Sequence, residues 1–164
     1  MINAGILTIS DKGSRGERQD LSGPVVREIL GGIGARVIKY EIVPDEMEVI
    51  SARLAEWADG GEMDIILTSG GTGLAARDVT PEATWTVIDR GVPGIAEAMR
   101  AKSMEKTPMA MLSRAEAGLR GNCLIINLPG SPRAVRECLE AVLPALSHAV
   151  EIIKGEVTEH TIGT

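Results

Sequence analysis

Met63-Asp64-Ile65-Ile66-Leu67-Thr68-Ser69-Gly70-Gly71-Thr72-Gly73-Leu74-Ala75-Ala76-Arg77-Asp78-Val79-Thr80-Pro81-Glu82-Ala83-Thr84 is one continuous passage of the chain. Its apolar run, Ile65-Ile66-Leu67, has the length and composition of a strand buried on both faces. Gly70-Gly71-Thr72-Gly73 follows at once, and residues with so little side chain let a ligand come close to the backbone. A charged elbow, Arg77-Asp78, leads to Thr80-Pro81-Glu82. There Thr80 reads as a helix N-cap, Pro81 as the first helical residue and Glu82 as an anion in the first turn. Strand, glycine loop, elbow, helix is the order of a βα unit. In an open α/β sheet such a loop lies outside the carboxyl ends of the strands, where ligands bind.

Gly71 to Ala76 matches the pattern G-x-G-x-x-A. A dinucleotide fold needs the helix to open within the glycine turn, and here the helix signals wait until Thr80. No Gly-Lys-Ser/Thr closes the loop, so it is not a P-loop either. The residues alone leave two readings, an anion cradle and a plain structural turn.

Outward from this unit, strands and helices alternate. Residues 4–9 read as a first strand, closed by Ser10-Asp11, and 12–20 as a polar loop. Ser22, Val25, Val26, Ile29 and Leu30 recur at helical spacing, with Gly31-Gly32 as the stop. Residues 37–43 read as a second strand. Met47, Ile50, Leu54 and Trp57 form one helical stripe. A helix is expected from Pro81 to about Arg90, broken by Gly91-Val92-Pro93-Gly94, and another through Ile95, Ala98 and Met99. Residues 115–120 and 123–128 suit a hairpin around Gly121-Asn122. Val135, Leu139, Val142, Leu146 and Val150 mark a long last helix, with Ser131 as its N-cap and Pro144 expected to kink or restart it. The order predicts a three-layer αβα fold, a mostly parallel sheet with one antiparallel hairpin element. Residues 1–154 read as a single domain and 155–164 as a tail.

Composition narrows the function. The 164 residues suffice for one domain that buries roughly 70% of its unfolded surface. A net charge of −6 argues against nucleic acid, whose phosphates need Lys and Arg. It also means that an anionic ligand must be held by local devices. The first residues do not resemble a signal peptide, and no apolar run approaches the ~20 residues that span a bilayer. The expectation is a cytoplasmic protein. Cys123 and Cys138 sit among core-type residues and read as buried free thiols. His148 and His160 are assigned no role.

Three carboxylates follow strands, Asp11, Asp45 and Asp78, and all are expected at one sheet edge. With no His/Cys cluster, they suit Mg²⁺, which takes oxygen ligands and often only one or two from protein. Structural readings stand beside this. Asp45 with Glu48 forms a capping pair. Ser131 is explained by its helix, although a helix N-terminus after Gly130 is also an anion site. Arg77 and Arg114 can be solvated charges, and Ser113 a turn hydroxyl.

The chain resembles the molybdopterin adenylyltransferases of molybdenum-cofactor biosynthesis. The resemblance is carried by Gly70-Gly71-Thr72-Gly73 with Arg77-Asp78-Val79-Thr80-Pro81-Glu82-Ala83-Thr84. It extends to Thr8-Ile9-Ser10-Asp11, Val43-Pro44-Asp45-Glu46, Ala110-Met111-Leu112-Ser113-Arg114 and Asn127-Leu128-Pro129-Gly130-Ser131-Pro132, in the family's order, to about Lys154. It implies AMP transfer from ATP to molybdopterin with Mg²⁺, releasing pyrophosphate. By position, Asp45 and Asp78 match the family's essential acidic residues and are the expected catalytic pair and Mg²⁺ ligands. Ser10, Asp11, Gly70, Gly71, Thr72, Gly73, Gly130 and Ser131 are expected at the nucleotide and phosphates, with Ser113 and Arg114 at the pterin. A homotrimer and a molybdenum insertase partner are implied as well. Leu74-Ala75-Ala76 departs from segments that often carry Pro or Arg in relatives. A pterin-binding paralogue that does not adenylylate, or a trimeric interaction scaffold, keeps the same fold.

Overall fold

The computed structural model describes residues 1–157. The remainder of the expected tail, with His160, lies outside the described residues. Six strands form one sheet: β1 (Asn3–Ile9), β2 (Arg36–Val43), β3 (Ile65–Ser69), β4 (Arg90–Gly91), β5 (Ala117–Arg120) and β6 (Cys123–Leu128), in the order β2-β1-β3-β6-β5-β4. The first four positions in that order are parallel, while β5 runs antiparallel to both β6 and β4. The helices are α1 (Asp11–Ser14), α2 (Ser22–Gly31), α3 (Met47–Asp59), α4 (Thr80–Val87), α5 (Pro93–Met104) and α6 (Pro132–Ile153), with a 3-10 turn at Pro108–Leu112. The three-layer, mostly parallel architecture read from the sequence is the one observed.

Alternation along the central strands builds two cores. Ala4, Ile6, Ile65, Leu67, Leu124 and Ile126 face α2, α5 and α6. Leu7, Ile9, Ile66, Cys123 and Ile125 face α3 and α4. Such strands are buried on both faces, which is why they read as unbroken apolar runs. Cys123 and Cys138 are both buried and free. No helix among the described residues is long and apolar enough to cross a membrane.

Four local expectations are corrected. Residues 12–20 are not all loop, because Ser10 accepts from the Gly13 N–H at 3.0 Å and caps the single turn α1. The helix after Pro81 stops at Val87, and Arg90-Gly91 pairs with β5 as a strand too short to leave a pattern. Thr80 is the first helical residue rather than the cap, and its buried hydroxyl donates to the Gly70 carbonyl at 2.9 Å. Finally, α6 does not restart at Pro144 but runs through it from Pro132 to Ile153. Pro144 and Glu140 are both exposed, so the carbonyl released by the proline meets water.

A buried polar relay ties the sheet to the glycine loop. Asn127 donates to Thr68 Oγ1 at 3.1 Å and to Thr84 Oγ1 at 2.9 Å, and its Oδ1 accepts from the Glu116 N–H at 3.1 Å. Thr84 donates to the Thr80 carbonyl, and Thr80 to that of Gly70. Asn127→Leu keeps the branched outline but leaves these groups without Asn127. We expect it to lower unfolding free energy by about 3 kcal/mol, measured by urea denaturation. A loss under about 1 kcal/mol would show that the relay does not hold the loop.

Candidate active site

The carboxyl ends of β1, β2, β3 and β6 open on one cleft of about 590 Å³. The chain leaves β1 for a helix on one face of the sheet and leaves β2 for a helix on the other. The strand order therefore reverses beside β1, and such a reversal opens a crevice between diverging loops. The walls are Thr8, Ser10 and residues 18–22 after β1, Asp45 after β2, Ser69, Gly70, Gly71 and Asp78 after β3, and Gly130 to Pro132 after β6.

The three expected carboxylates meet at this edge in different roles. Asp11 and Asp45 clasp each other: the Asp11 N–H donates to Asp45 Oδ2 at 2.8 Å, and the Asp45 N–H to Asp11 Oδ1 at 3.0 Å. Arg77 closes on Asp11 with Nε and Nη2 at 2.6 and 2.9 Å. Asp11 is thus a bridge turned away from the cleft wall. Arg77 is no free surface charge: its hydrogen bonds hold the Asp11 carboxyl down to about 2. Asp45 caps no helix. Glu46 occupies that position without a side-chain bond, and the Asp45 carboxylate serves the Asp11 N–H instead. Burial pushes the Asp45 carboxyl up, and the neighbouring charges of Asp11 and Asp78 add to the effect.

Asp78 has the structural partner that sequence reasoning did not find. Its Oδ2 accepts from the Ala75 N–H at 3.0 Å, and its own N–H donates to the Ala75 carbonyl at 2.9 Å. The glycine loop divides in two. Gly70 and Gly71 face the cleft with φ of +104° and +69°. The Gly70 N–H is bonded to the Leu128 carbonyl, so Gly70 offers close approach rather than a free donor. Thr72 and Gly73 turn away and are braced by Arg114. Its backbone N–H reaches the Thr72 carbonyl, Nε the Gly73 carbonyl at 2.8 Å, Nη2 the Asp78 carbonyl at 2.6 Å and Nη1 the Glu82 carboxylate. Ser113 opens on a separate cavity of about 240 Å³ beside Met99, Met109 and Cys138.

The N-termini of two longer helices close the rim. Ser131 Oγ accepts from the Ala134 N–H at 3.2 Å and caps α6. At α2, Asp20 Oδ1 accepts from the N–H groups of Ser22 and Gly23, while the Ser22 hydroxyl donates to the Gly130 carbonyl at 2.6 Å. Sequence reasoning missed Asp20, Ser22, Ser69 and Arg18. An Asp two residues ahead of a helix-opening Ser was the available signal for the first two.

The residues on the cleft wall that could donate to a divalent ion are Asp45 and Asp78. Among the described residues no cluster of three or more His, Cys, Asp or Glu side chains is arranged for a metal. Mg²⁺ often takes one or two protein carboxylates and fills its remaining positions with water and substrate phosphate. Burial raises the Asp45 carboxyl and the charges of Asp11 and Asp78 add to that rise; a cation relieves such repulsion, so the donor set fits.

Fold and cleft together define an α/β protein with a polar, glycine-lined cleft at a switch point of parallel strands. The chain belongs to the family described as the probable molybdopterin binding domain, whose pattern matches residues 5–148. It is 46% identical over 156 residues to the molybdopterin adenylyltransferase of Helicobacter pylori strain J99, covering 94% of this chain and 89% of that protein. The Escherichia coli K12 molybdopterin adenylyltransferase is 40% identical over 151 residues, covering 91% of this chain and 77% of that one. The crystal structure of the molybdopterin biosynthesis enzyme MoaB from Thermus thermophilus superposes with a TM-score of 0.90 at 57% identity, covering 94% of this chain and 98% of that one.

Proposed function

We propose that this chain, through a catalytic domain of residues 1–154, is a molybdopterin adenylyltransferase of molybdenum-cofactor biosynthesis. It transfers AMP from ATP to the terminal phosphate of molybdopterin and releases pyrophosphate. The observation that carries this is the pair Asp45 and Asp78 on the wall of one cleft, beside Gly70 and Gly71 and the N-termini of α2 and α6. The activity named for relatives at 40–46% identity supports it.

A phosphate oxygen of the pterin substrate attacks the α-phosphorus of ATP. The new P–O bond forms as the bond to the bridging oxygen breaks, and that electron pair leaves with pyrophosphate. The chain's task is to bring two anions together, which costs about 4 kcal/mol for unit charges ~4 Å apart at an effective dielectric of 20. Gly70 and Gly71 let phosphate approach the backbone, and the two helix N-termini favour negative charge there. Ser10, Gly130 and Ser131 shape the phosphate end of the cleft. Asp45 and Asp78 would hold Mg²⁺, which when bound neutralises the phosphates. Asp11 sets Asp45 through the reciprocal clasp. Thr72 and Gly73 act through the loop that Arg114 braces. We assign Ser113 and its apolar cavity to the pterin side. We further propose a cytoplasmic homotrimer, for which exposed Leu74, Trp85, Met109, Met111 and Leu112 supply apolar surface, handing its product to a molybdenum insertase.

Incubation with ATP, molybdopterin and Mg²⁺ tests the reading: equal amounts of pyrophosphate and adenylylated pterin are expected. Binding of pterin without pyrophosphate release would sink it. Acid sensitivity is a second check. The Asp45 carboxyl, raised above its ordinary 3.8 chiefly by burial, must lose its proton to work, so kcat/KM should fall on acidification at a pH above that ordinary value. Arg77 opposes that rise, so Arg77→Gln should move the fall to higher pH. An acid limb unmoved by Arg77→Gln would detach Asp45 from the rate.

A further inference from the structure

The cleft wall carries three carboxylates, Asp20, Asp45 and Asp78, and among the described residues one cation, Arg18. Asp20 is fully engaged. It accepts from Thr8 Oγ1 at 2.7 Å, from the Tyr40 hydroxyl, and from the N–H groups of Ser22 and Gly23 at 3.0 and 3.1 Å. Those four bonds anchor the chain two residues after Arg18, so the arginine is tethered at the lip. Arg18 itself is exposed and makes no hydrogen bond or ion pair among the described residues. Other arginines around the site are neutralised: Arg15 by Glu17, Arg77 by Asp11 and Arg114 by Glu82. A guanidinium with all five donors uncommitted, facing a cleft whose other charges are negative, is a site for a multiply charged anion.

Resting on the adenylyl-transfer reading, we propose that Arg18 contacts the β- and γ-phosphates of the nucleotide and holds the departing pyrophosphate. Asp45 and Asp78 are half-buried beside Gly70 and Gly71, where the reacting α-phosphorus belongs. Arg18 is exposed at the lip on the loop between α1 and α2, so it meets the other end of the triphosphate. Binding of this kind is shared by ground state and transition state, so it acts on KM more than on kcat.

The test is calorimetry with ATP, pyrophosphate, AMP and molybdopterin, each with Mg²⁺, on the full chain and on Arg18→Gln, Arg18→Lys and the control Arg15→Gln. Arg18→Gln should bind ATP and pyrophosphate about tenfold more weakly and AMP and molybdopterin within about twofold of wild type. Its KM for ATP should rise with kcat nearly unchanged. Arg18→Lys should recover part of the loss, and Arg15→Gln should match wild type. The difference should shrink with added salt, because the contact is exposed. Unchanged ATP and pyrophosphate binding in Arg18→Gln would overturn the proposal and leave the reading standing. A loss shared equally by AMP, or confined to molybdopterin, would overturn the assignment to the β- and γ-phosphates. A wild-type chain that binds no ATP would overturn the reading and the proposal with it.

Discussion

Asp78→Asn should lower kcat by about 10²–10⁴-fold while the fold and pterin binding survive. The substitution keeps shape and removes charge. Asparagine still offers an oxygen to the Ala75 N–H, so the turn that Asp78 makes at 3.0 Å is preserved. Arg114 grips the Asp78 backbone carbonyl rather than its side chain, so the brace on the loop is untouched. What disappears is the charge of one of the two cleft-wall carboxylates proposed to hold Mg²⁺. The melting temperature should therefore move by only a few degrees. If Asp78 were solely an elbow residue, the same variant would show a small stability loss and near-normal Mg²⁺-dependent turnover. Thermal melts, calorimetry with molybdopterin and pyrophosphate release with and without Mg²⁺ separate the two patterns. If Asp45 and Asp78 act as a unit, the double variant Asp45→Asn/Asp78→Asn should be hardly slower than either single one. Multiplying losses would mean that the two carboxylates work independently.

The elements visible in the sequence were those with their own periodicity. The apolar runs of β1, β3 and β6 and the stripes of α3 and α6 carry enough burial to determine their own structure. Elements set by distant partners left no such trace. Arg90-Gly91 is a strand only because the Asp89 and Val92 N–H groups reach the Leu119 and Ala117 carbonyls. The site divides along the same line. Motif and loop order placed Asp45, Asp78 and Gly70 on one edge, because topology alone brings strand ends together. Local rules then misassigned side chains whose partners are far away in sequence. Asp45 looked like a cap for the helix beside it, yet its carboxylate is taken by an N–H 34 residues earlier. Arg77 looked like a solvated charge and Arg114 like a solvated charge or a pterin contact, yet one locks Asp11 across 66 positions and the other grips the Asp78 carbonyl from 36 positions away. A capping rule sees one turn of chain, and these contacts close only when the sheet assembles.

Gly70→Ala should cost about 3–5 kcal/mol of unfolding free energy and reduce turnover of the folded fraction at least about 100-fold. Two costs combine. Gly70 has φ +104°, which an L side chain rarely adopts. A Cβ there would lie 2.3 Å from the Ile9 carbonyl oxygen. That oxygen is backbone in the central strand β1, held by β2 on one side and β3 on the other, and it cannot rotate away. Relief must come from Gly70 itself. Moving it strains the bond from its N–H to the Leu128 carbonyl at 3.1 Å and the bond it accepts from Thr80 Oγ1 at 2.9 Å. Both lead into the buried relay through Thr84 and Asn127, so the strain reaches α4 and β6 as well as the cleft. Gly130→Ala is the control on the same wall. A Cβ at Gly130 would meet the Gly70 Cα at 3.6 Å, an ordinary contact, and its φ is not positive. Its stability should stay within about 0.5 kcal/mol of wild type. Urea denaturation of the three proteins gives the energies, and turnover measured well below each melting temperature gives the activity of folded enzyme. Equal stabilities for Gly70→Ala and Gly130→Ala would mean that the loop reaches the cleft by another backbone path. A destabilised but fully active Gly70→Ala would mean that phosphate does not lie against Gly70.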